Sequence, residues 1–556
     1  MSWQTHEVSN QFDELQDYNL FMTDAPLQEA LERAGADWAT PQMTSFGETL
    51  GQAETWQLGA DANKYKPEFD AYDARGRRID SVGFHPSWHR LMALYRGEGL
   101  ISLPFRDETQ RGRWATWAAG FYLNGQVEAG VLCPATMTQA AIPVIRKEPA
   151  LWEKYGARLM SNEYDPRDVP MEQKKSIWIG MGMTEKQGGS DVRANTTTAT
   201  PVGAGGRGGE YLIRGHKWFF SAPMSDAHLV VARTAEGGHS CFFVPRWRPD
   251  GSKNPVQIQR LKDKVGNRSN SSSEVEFQDA LGILMGEEGR GIPTIIEMAT
   301  FTRLNCVVGS AAFLRQAVVQ GVAYARKRKV FGRLLAEQPL MRAVLADLAL
   351  ESEAALAMSM RLAEAFEHGE EPAQRFWKRV MTPAAKFWVC KRAVEVSGEA
   401  MEIFGGNGYV ENGPMARMFR EAPVNSIWEG SGNVMCLDVM RGIGREPEGA
   451  HALLRELAGD ANGDVRITGE LKALGEMLQQ PPEQLEALGR QFTQRLVLVA
   501  QATLLRTTAP AFVAEGFITT RLDPQWGRVV GAVDTRKLDV AALLERAFPA
   551  AVGSQA

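Results

Sequence analysis

The period at which apolar residues recur changes twice along the chain, and this restricts the folds it can adopt. Short runs rich in β-branched and aromatic residues, punctuated by Gly, Asn, Asp and Pro, occupy 176–285. Helical spacing precedes them from Trp88 to about Ile145 and returns from Gly291 onward. The order helical, β, helical is not the strand–helix alternation of a doubly wound sheet. No G-x-G-x-x-G follows a strand and opens a helix, so a Rossmann nucleotide site is not supported.

These segments predict an α+β protein built from several domains. A length of 556 residues exceeds the ~150 residues of an average domain several-fold. We predict a mainly helical domain over 1–178, a β-barrel or β-sandwich domain over 179–288 and a helical bundle over 289–445. A further helical domain follows over 446–556, after REPEGAH (445–451), which we interpret as a linker.

Individual elements can also be predicted. Apolar stripes indicate two helices of more than twenty residues, over 304–325 and 340–366, a third over 376–403 and another over 482–507. The glycine-rich VGAGGRGGE (202–210) predicts a hairpin loop. The first 60 residues are acidic and irregular, which favours surface helices and loops.

Composition excludes several classes of protein. Hydrophobic residues make up 44% and charged residues 23%, as in ordinary globular proteins. The net charge of −5, from 62 basic and 67 acidic residues, is not that of a dedicated nucleic-acid binder. Five scattered cysteines without a C-x-x-C pair indicate neither a zinc site nor a disulfide framework, and no other metal site is predicted. The start lacks a secretory signal and no 18-residue apolar run exists, so we expect a cytoplasmic protein without membrane contact.

Two motifs at the start of the β region combine small, hydroxyl and aromatic residues. IGMGMTEKQGGSD (179–191) lets backbone N–H groups approach a phosphate or a planar ring, and its hydroxyls add donors. In GHKWFFS (215–221) an aromatic face and a hydroxyl can lie against a flat cofactor. The plainer alternatives are an ordinary glycine loop and a buried strand.

Two further motifs lie in the second helical region. In RKRKVFG (326–332) Arg328 could bind a pyrophosphate, or the four basic residues could simply complement the C-terminal dipole of a solvated helix end. FGGNGY (404–409) is followed by PVNSIWEGSGN (423–433), where Glu429 follows a Trp and precedes a Gly. A carboxylate desolvated beside an aromatic ring in a tight turn has a raised pKa, which suits a general base.

Together the four motifs resemble those of the acyl-CoA dehydrogenase superfamily, in the same order and spacing. The family's M-T-E-x-x-x-G-S-D, W-[IV]-[TS], R-x-x-F-G, G-G-x-G and aromatic-Glu-Gly-Thr/Ser motifs correspond to 183–191, 218–221, 328–332, 405–408 and 428–431. LKDKVGNRSNSSSEVEF also looks like the family's K-x-G-x-R-x-S stretch, and the resemblance spans roughly 85–445. It implies an acyl-CoA-dehydrogenase-like fold around non-covalent FAD, assembled as a homotetramer.

The resemblance also implies residue roles. Glu429 is the expected base, taking a proton next to a thioester carbonyl while a hydride passes to the flavin. Arg328 and Gln338 would reach the FAD of a neighbouring subunit. The full set of expected FAD contacts is Met183, Thr184, Gly189, Ser190, Trp218, Phe220, Ser221, Arg328, Phe331, Gln338, Gly405, Gly406, Trp428 and Asn433.

The sequence departs from the family pattern at several positions. Some members place the base just before an arginine of an earlier helix, but the neighbour of Arg303 is Thr302, which cannot take a proton. An acid that helps to hold CoA is replaced near Thr300, and a Gln before the G-G-x-G turn is Glu402. In the base turn itself, Glu-Gly-Ser-Gly-Asn replaces the usual Glu-Gly-Thr-Ser-Gln/Glu. These changes put the CoA site in more doubt than the FAD site.

Further segments resemble one branch of the superfamily, the flavoproteins of the bacterial response to DNA alkylation. They are the start MSWQTH, QVEAGVLCPATMT, TPAAKFWVCKR and PVNSIWEGSGNVMCLDV. This branch is associated with binding of double-stranded DNA, protection from alkylation and feeble dehydrogenase activity. Residues 441–556 hold 13 basic and 14 acidic side chains, so DNA binding would need a stripe formed in three dimensions. The candidates for such a stripe are Arg441, Arg445, Arg521 and Arg528.

Three functions follow. The leading hypothesis is an FAD-binding protein that binds duplex DNA without sequence preference and limits alkylation, by destroying an alkylating agent or by shielding. The second is a working dehydrogenase of short branched acyl-CoA thioesters such as isovaleryl-CoA, with an electron-transfer flavoprotein as acceptor. The third, a flavin oxidase of nitroalkanes, is disfavoured because such enzymes typically carry Asp where this chain has Glu429.

Overall fold

The computed structural model describes residues 5–235, 238–523 and 529–553. The chain forms two compact units, each assembled from separate stretches of sequence. One comprises Met1–Ala53, Trp114–Gln126 and Cys306–Ala556, and the other comprises Glu54–Arg113 and Val127–Asn305. The four domains drawn from the sequence, with their three boundaries, stay predictions.

The helices account for most of the chain. In chain order the helices of the described residues are α1 (Ala25–Arg33), α2 (Thr40–Gly51), α3 (Ala53–Lys64), α4 (Pro86–Gly97), α5 (Arg113–Gly125), α6 (Leu132–Arg146), α7 (Pro149–Met160), α8 (Gly291–Ala325), α9 (Pro339–Glu367), α10 (Pro372–Ile403), α11 (Gly406–Tyr409), α12 (Pro414–Ile427), α13 (Gly432–Arg445), α14 (Pro447–Asp460), α15 (Val465–Leu478), α16 (Pro482–Ala487), α17 (Gly489–Thr508), α18 (Ala511–Arg521), α19 (Val540–Ala547) and α20 (Ala550–Gly553).

The strands lie mainly between α7 and α8. They are β1 (Glu68–Tyr72), β2 (Arg78–Gly83), β3 (Ile179–Gly182), β4 (Thr198–Pro201), β5 (Glu210–Ser221), β6 (Ala227–Arg233), β7 (His239–Pro245), β8 (Val256–Leu261), β9 (Ser272–Met285), β10 (Lys329–Val330) and β11 (Arg333–Leu334). The α+β fold class is confirmed.

The central sheet closes on itself. Its strand order is β3-β6-β4-β5-β9-β7, β7 also pairs with β6, and β8 adds to β9. The β3–β6 and β4–β6 pairings are parallel and the others antiparallel. Alternate residues point inward, so one face builds a dry core that includes Tyr211, Phe242 and Phe277. The five aromatic and β-branched runs of the sequence are β5 to β9, and the predicted hairpin loop joins β4 to β5.

The long helices of the second helical region are also confirmed, as α8, α9 and α10. By length and composition α8 could cross a membrane, since its most apolar 18-residue window has a mean hydropathy of 1.3. That window is entirely buried inside the protein, as is usual for a core helix, and it is weak evidence for a membrane span.

Several sequence predictions are wrong in detail. The supposed linker REPEGAH is almost wholly helical, because Pro447 occupies the first turn of α14, where a missing N–H costs nothing. The single helix predicted over 482–507 is two helices, α16 and α17, which meet at Leu488 next to Gly489. Glycine is a poor helix former, which favours the break at this position.

The N-terminal segment packs more than its polar sequence suggests. It forms α1 and α2, whose apolar faces bury Leu27, Leu31, Phe46 and Leu50 at no more than 1% exposure. The expected surface helices are therefore present, but each contributes side chains to the core.

Candidate functional site

A buried ion pair anchors the loop that follows β3. Glu185 and Lys217 both have fully buried side chains, and Lys217 Nζ donates to Glu185 Oε1 at 2.8 Å. The other carboxylate oxygen, Oε2, accepts from the Thr196 amide at 2.7 Å and from the Gln187 side chain at 2.8 Å. The pair thus ties the 183–190 loop to strand β5 and to the chain before β4.

The pKa values of this pair reflect its mutual dependence. Burial by itself raises the pKa of Glu185, but the charge and hydrogen bond of Lys217, with the Thr196 amide, bring the pKa well below its usual range. Burial lowers the pKa of Lys217, against the opposing charge of Glu185. Each group therefore offsets part of the cost of burying the charge of the other.

The aromatic strand after Lys217 places its rings on opposite faces. Phe220 is buried and stacks on His228 at 3.9 Å between ring centroids, whereas Phe219 is exposed. Trp218 is half-buried, and its amide donates to the Thr184 carbonyl at 2.8 Å. The predicted motif residues of the loop and of β5 are therefore brought together within one unit.

The loop and strand also offer unused donors. Within the described part of the chain, the hydroxyls of Thr184, Ser190 and Ser221 have no hydrogen-bond partner. Gly188 has φ +137°, and a Cβ there would meet nothing within 4 Å, whereas a Cβ at Gly189 would lie 2.7 Å from Thr184 Oγ1. Free hydroxyls and accessible backbone are what a polar, flat cofactor such as FAD needs, so these residues fit the predicted site.

In the other unit, Glu429 occupies a strained turn between α12 and α13. Its φ is +60° and that of Gly430 is +108°. A non-glycine residue with positive φ is uncommon and costs free energy, so surrounding contacts must hold it. One such contact is the indole of Trp428, which donates to Asn425 Oδ1 at 3.0 Å.

A second contact comes from α10. Lys386 is 1% exposed, and its Nζ donates to the Gly430 carbonyl at 2.8 Å. Beyond the turn, the first residues of α13 include the exposed Asn433, whose Oδ1 accepts from Arg490 at 2.8 Å. The predicted contacts Trp428 and Asn433 thus flank Glu429 on either side.

The residues expected to meet a neighbouring subunit lie on an exposed hairpin. Helix α8 ends at Ala325, and the basic run forms the turn that directly follows the helix C-terminus and leads into β10, so the plainer alternative stays open. The Arg328 guanidinium donates to the Asn10 carbonyl. Gln338 Nε2 donates to the Val330 carbonyl at 2.9 Å, and Phe331 is 98% exposed.

The glycine turn after α10 is open. Gly405 has φ +60°, and neither it nor Gly406 has any atom within 4 Å of a Cβ position. Glu402, which replaces the family's Gln, is exposed just before the turn. On α8, Thr302 is 1% exposed and donates to the Ala299 carbonyl at 3.2 Å, which agrees with its exclusion as a base.

The four candidate DNA contacts separate into different groups. Arg441 and Arg445 are exposed on α13. The prediction that Arg521 contacts DNA is wrong. Its guanidinium is buried and paired with Asp347 and Glu351, so it is not available to a phosphate. Arg528 lies outside the described residues.

Sequence reasoning missed the buried cations. In the sequence, Lys217 is one residue of the aromatic strand motif and Lys386 is one residue of TPAAKFWVCKR, and neither motif assigns a role to its lysine. A signal existed for Lys386, since it stands among the apolar residues of α10, where lysine is rarely buried without a reason.

The comparisons with known proteins agree with this geometry. Residues 180–280 match the acyl-CoA dehydrogenase middle domain and 289–444 match the acyl-CoA dehydrogenase C-terminal domain. Residues 10–166 match the N-terminal domain of the adaptive response protein AidB. The fold and motif set are therefore those of the acyl-CoA dehydrogenase class.

Full-length relatives narrow the assignment. The chain is 46% identical over 530 residues to AidB of Escherichia coli (strain K12), covering 95% of this chain and 96% of that protein. A Caenorhabditis elegans ACDH-11 structure in complex with C11-CoA is 25% identical with a TM-score of 0.84, over 94% and 95% of the two chains. The chain belongs to the AidB-type members of the acyl-CoA dehydrogenase family.

A more distant structure bears on the cofactor. An acyl-CoA dehydrogenase from Bacillus anthracis, complexed with FAD, shares the fold at 17% identity and a TM-score of 0.64, over 84% and 88% of the chains. At the level of the family, the prediction of FAD as cofactor is confirmed.

Proposed function

We propose that this chain is an FAD-dependent flavoprotein with acyl-CoA-dehydrogenase chemistry, in which Glu429 takes the proton next to a thioester carbonyl. The observation that carries the proposal is the position of this carboxylate, in a left-handed turn fixed by Trp428 and Lys386. Strain of this kind is concentrated at functional sites, where the surrounding structure can maintain it.

The chain's own residues have separable tasks in this proposal. The unpaired hydroxyls of Thr184, Ser190 and Ser221 offer hydrogen bonds to the flavin. Trp218, whose ring centroid lies 3.8 Å from Lys262 Nζ, would flank the flavin. The flavin, when bound, supplies the hydride acceptor. Arg328 and its hairpin would serve the FAD of a neighbouring subunit, which requires the homotetramer that we also propose.

The substrate class is an acyl-CoA thioester. Support comes from the relative ACDH-11, whose structure contains C11-CoA. The resemblance to a branch with feeble activity on isovaleryl-CoA makes a short branched thioester the first probe and C11-CoA the second.

Anaerobic mixing tests the proposal. The holoprotein is mixed with isovaleryl-CoA or C11-CoA without oxygen, and the oxidised flavin absorbance is followed. Bleaching with either thioester, faster than with free CoA as the control, supports dehydrogenase chemistry. An unchanged spectrum over hours with both thioesters rejects it.

A second function, binding of duplex DNA and protection from alkylation by a cytoplasmic protein, is favoured by the near-complete match to AidB. Arg441 and Arg445 are exposed candidates on one helix. Binding through phosphates predicts an affinity that falls linearly with the logarithm of salt concentration and varies little with base sequence. A salt titration with two unrelated duplexes tests this, and no binding even at low salt would reject it.

A further inference from the structure

Lys386 is a buried cation in an unusual setting. An ammonium has three N–H donors, and in the described part of the chain it makes one hydrogen bond, to the Gly430 carbonyl 44 residues away at 2.8 Å. No carboxylate of the described residues lies within ion-pair distance of it. Buried lysines are normally paired, because desolvating an ammonium is costly, so this one needs an explanation.

The carbonyl that it holds belongs to the strained turn. Gly430 follows Glu429 directly, and both residues have positive φ values, +108° and +60°. A hydrogen bond from a charged donor is among the stronger hydrogen bonds in proteins, and here it acts against the free-energy cost of the strained backbone. The Lys386 bond can therefore maintain the conformation that presents the Glu429 carboxylate.

The charges of Lys386 and Glu429 also act on one common neighbour. Burial raises the pKa of the Cys306 thiol well above its usual range, the charge of Lys386 lowers it, and that of Glu429 raises it. Cys390, one turn beyond Lys386 on α10, has its Sγ 3.5 Å from the Cys306 carbonyl oxygen. The ammonium and the carboxylate therefore both act on the buried Cys306 thiol, in an interior where charges interact strongly.

Other charged groups also lie beside the turn. On α10, the half-buried Lys391 has its Nζ 3.5 Å from Ser426 Oγ, and on α17 the exposed Arg490 bonds to Asn433. Both are more accessible to solvent than Lys386, so water screens their effect on Glu429 more strongly. The cysteines Cys306 and Cys390 stay neutral because burial raises the pKa of each thiol.

We propose that Lys386 is a positioning residue for Glu429: its ammonium fixes the Gly430 carbonyl, and so the turn, and its buried positive charge keeps the neighbouring carboxylate ionised in the resting enzyme. The proposal rests on the proposed function of Glu429 as base. It gives a chemical reason for a lysine in the apolar core of α10. In this proposal a residue of α10 sets the strength of a base that lies in the turn between α12 and α13.

The test uses the holoprotein and its flavin absorbance. Lys386→Met is compared with Lys378→Met, which removes the same charge from the same helix away from the turn. Anaerobic flavin reduction by isovaleryl-CoA is measured from pH 5 to 9 at several thioester concentrations. We expect Lys386→Met to slow the limiting reduction rate tenfold or more and to move the rising limb of its pH profile upward by about one unit. The half-saturating concentration should change little, and Lys378→Met should match the natural protein.

Chemical rescue separates positioning from a general loss of structure. In Lys386→Ala, n-butylammonium can occupy the vacated space and donate to the Gly430 carbonyl, whereas tetramethylammonium has no N–H to donate. Recovery of the reduction rate with the first amine only supports the proposal, including where Lys386→Met folds poorly. A wild-type rate and pH profile in Lys386→Met, or equal recovery with both amines, overturns it. If the natural protein itself is not reduced, the proposed function fails and this inference fails with it.

Discussion

The two segments predicted to contact cofactor and substrate share a design and differ in one respect. Each has a tight turn with a glycine at positive φ, Gly188 or Gly430, and each is held by a buried lysine. Lys217 is paired with the carboxylate of Glu185, whereas Lys386 bonds to a backbone carbonyl. In the first arrangement the charges of Lys217 and Glu185 pair with each other, and this ion pair fixes a loop. The second fixes a turn through its backbone, and within the described residues Lys386 bonds to the Gly430 carbonyl and not to the carboxylate of Glu429.

The largest effect should come from Glu429→Gln. If the turn presents a base, removing its charge lowers the rate of flavin reduction by isovaleryl-CoA by about 10²–10⁴-fold, because the amide cannot accept the proton. Absorbance spectroscopy should show FAD still bound. Glu448→Gln, an exposed position on α14, serves as the control. Equal rates of flavin reduction in the natural protein and in Glu429→Gln would contradict the role of Glu429 as base.

Lys217→Met should damage stability rather than chemistry. It leaves Glu185 buried without its cation, a change that typically costs about 3–5 kcal/mol in the free energy of unfolding. Urea unfolding followed by circular dichroism measures this cost. The double variant Lys217→Met/Glu185→Gln, which buries no charge, should regain much of the loss. A single variant as stable as the double one would show that the pair is not what anchors the loop.

The same pair predicts a response to acid. Because the folded pKa of Glu185 lies below the unfolded value of 4.5, its contribution to stability is complete above that pH and is lost as the pH falls through the folded value. Between pH 5 and pH 3 the urea midpoint of the natural protein should therefore fall more steeply than that of the double variant. Parallel slopes would contradict the assignment of the pair as ionised.

The smallest effect concerns the helix that begins just after the Glu429 turn. If duplex DNA lies along α13, Arg441→Gln/Arg445→Gln should reduce the slope of log affinity against log salt by about 2. The double variant should leave flavin absorbance and unfolding unchanged, since both side chains are exposed. Arg75→Gln, at an exposed site in the other unit, controls for loss of charge. An unaltered slope would show that Arg441 and Arg445 on α13 do not contact DNA phosphates.

Some elements were predictable because their local pattern is strong. Strands β5 to β9 carry dense β-branched and aromatic runs, and α8 to α10 carry long apolar stripes. The β1–β2 hairpin was missed because most of its residues are exposed or half-buried, so no apolar alternation marks it. The supposed linker before α14 was missed because Pro is compatible with a helix start as well as with a loop.

As with the secondary structure, only those features of the candidate site that have a strong local sequence pattern could be proposed from the sequence. Motif order singled out Glu429, the Trp218 strand and the loop before it as candidates, because each motif has particular residue types at fixed spacing, and their roles stay predictions. Arg521 was misread, because a surface arginine and one buried against Asp347 and Glu351 look alike in sequence. The exposure and partners of a charge depend on residues that are distant along the chain.

The sequence alone determined the α+β class and the family, since periodicity and motif spacing are local properties, and it supplied the candidate residues for the proposed chemistry. Only the tertiary structure decided which charges are buried and what they contact. Lys386 reaches a carbonyl 44 residues away, and Lys217 reaches a carboxylate 32 residues away. Desolvation and hydrogen bonding act through space, and together they turn two similar lysines into an anchor for a loop and a support for a base.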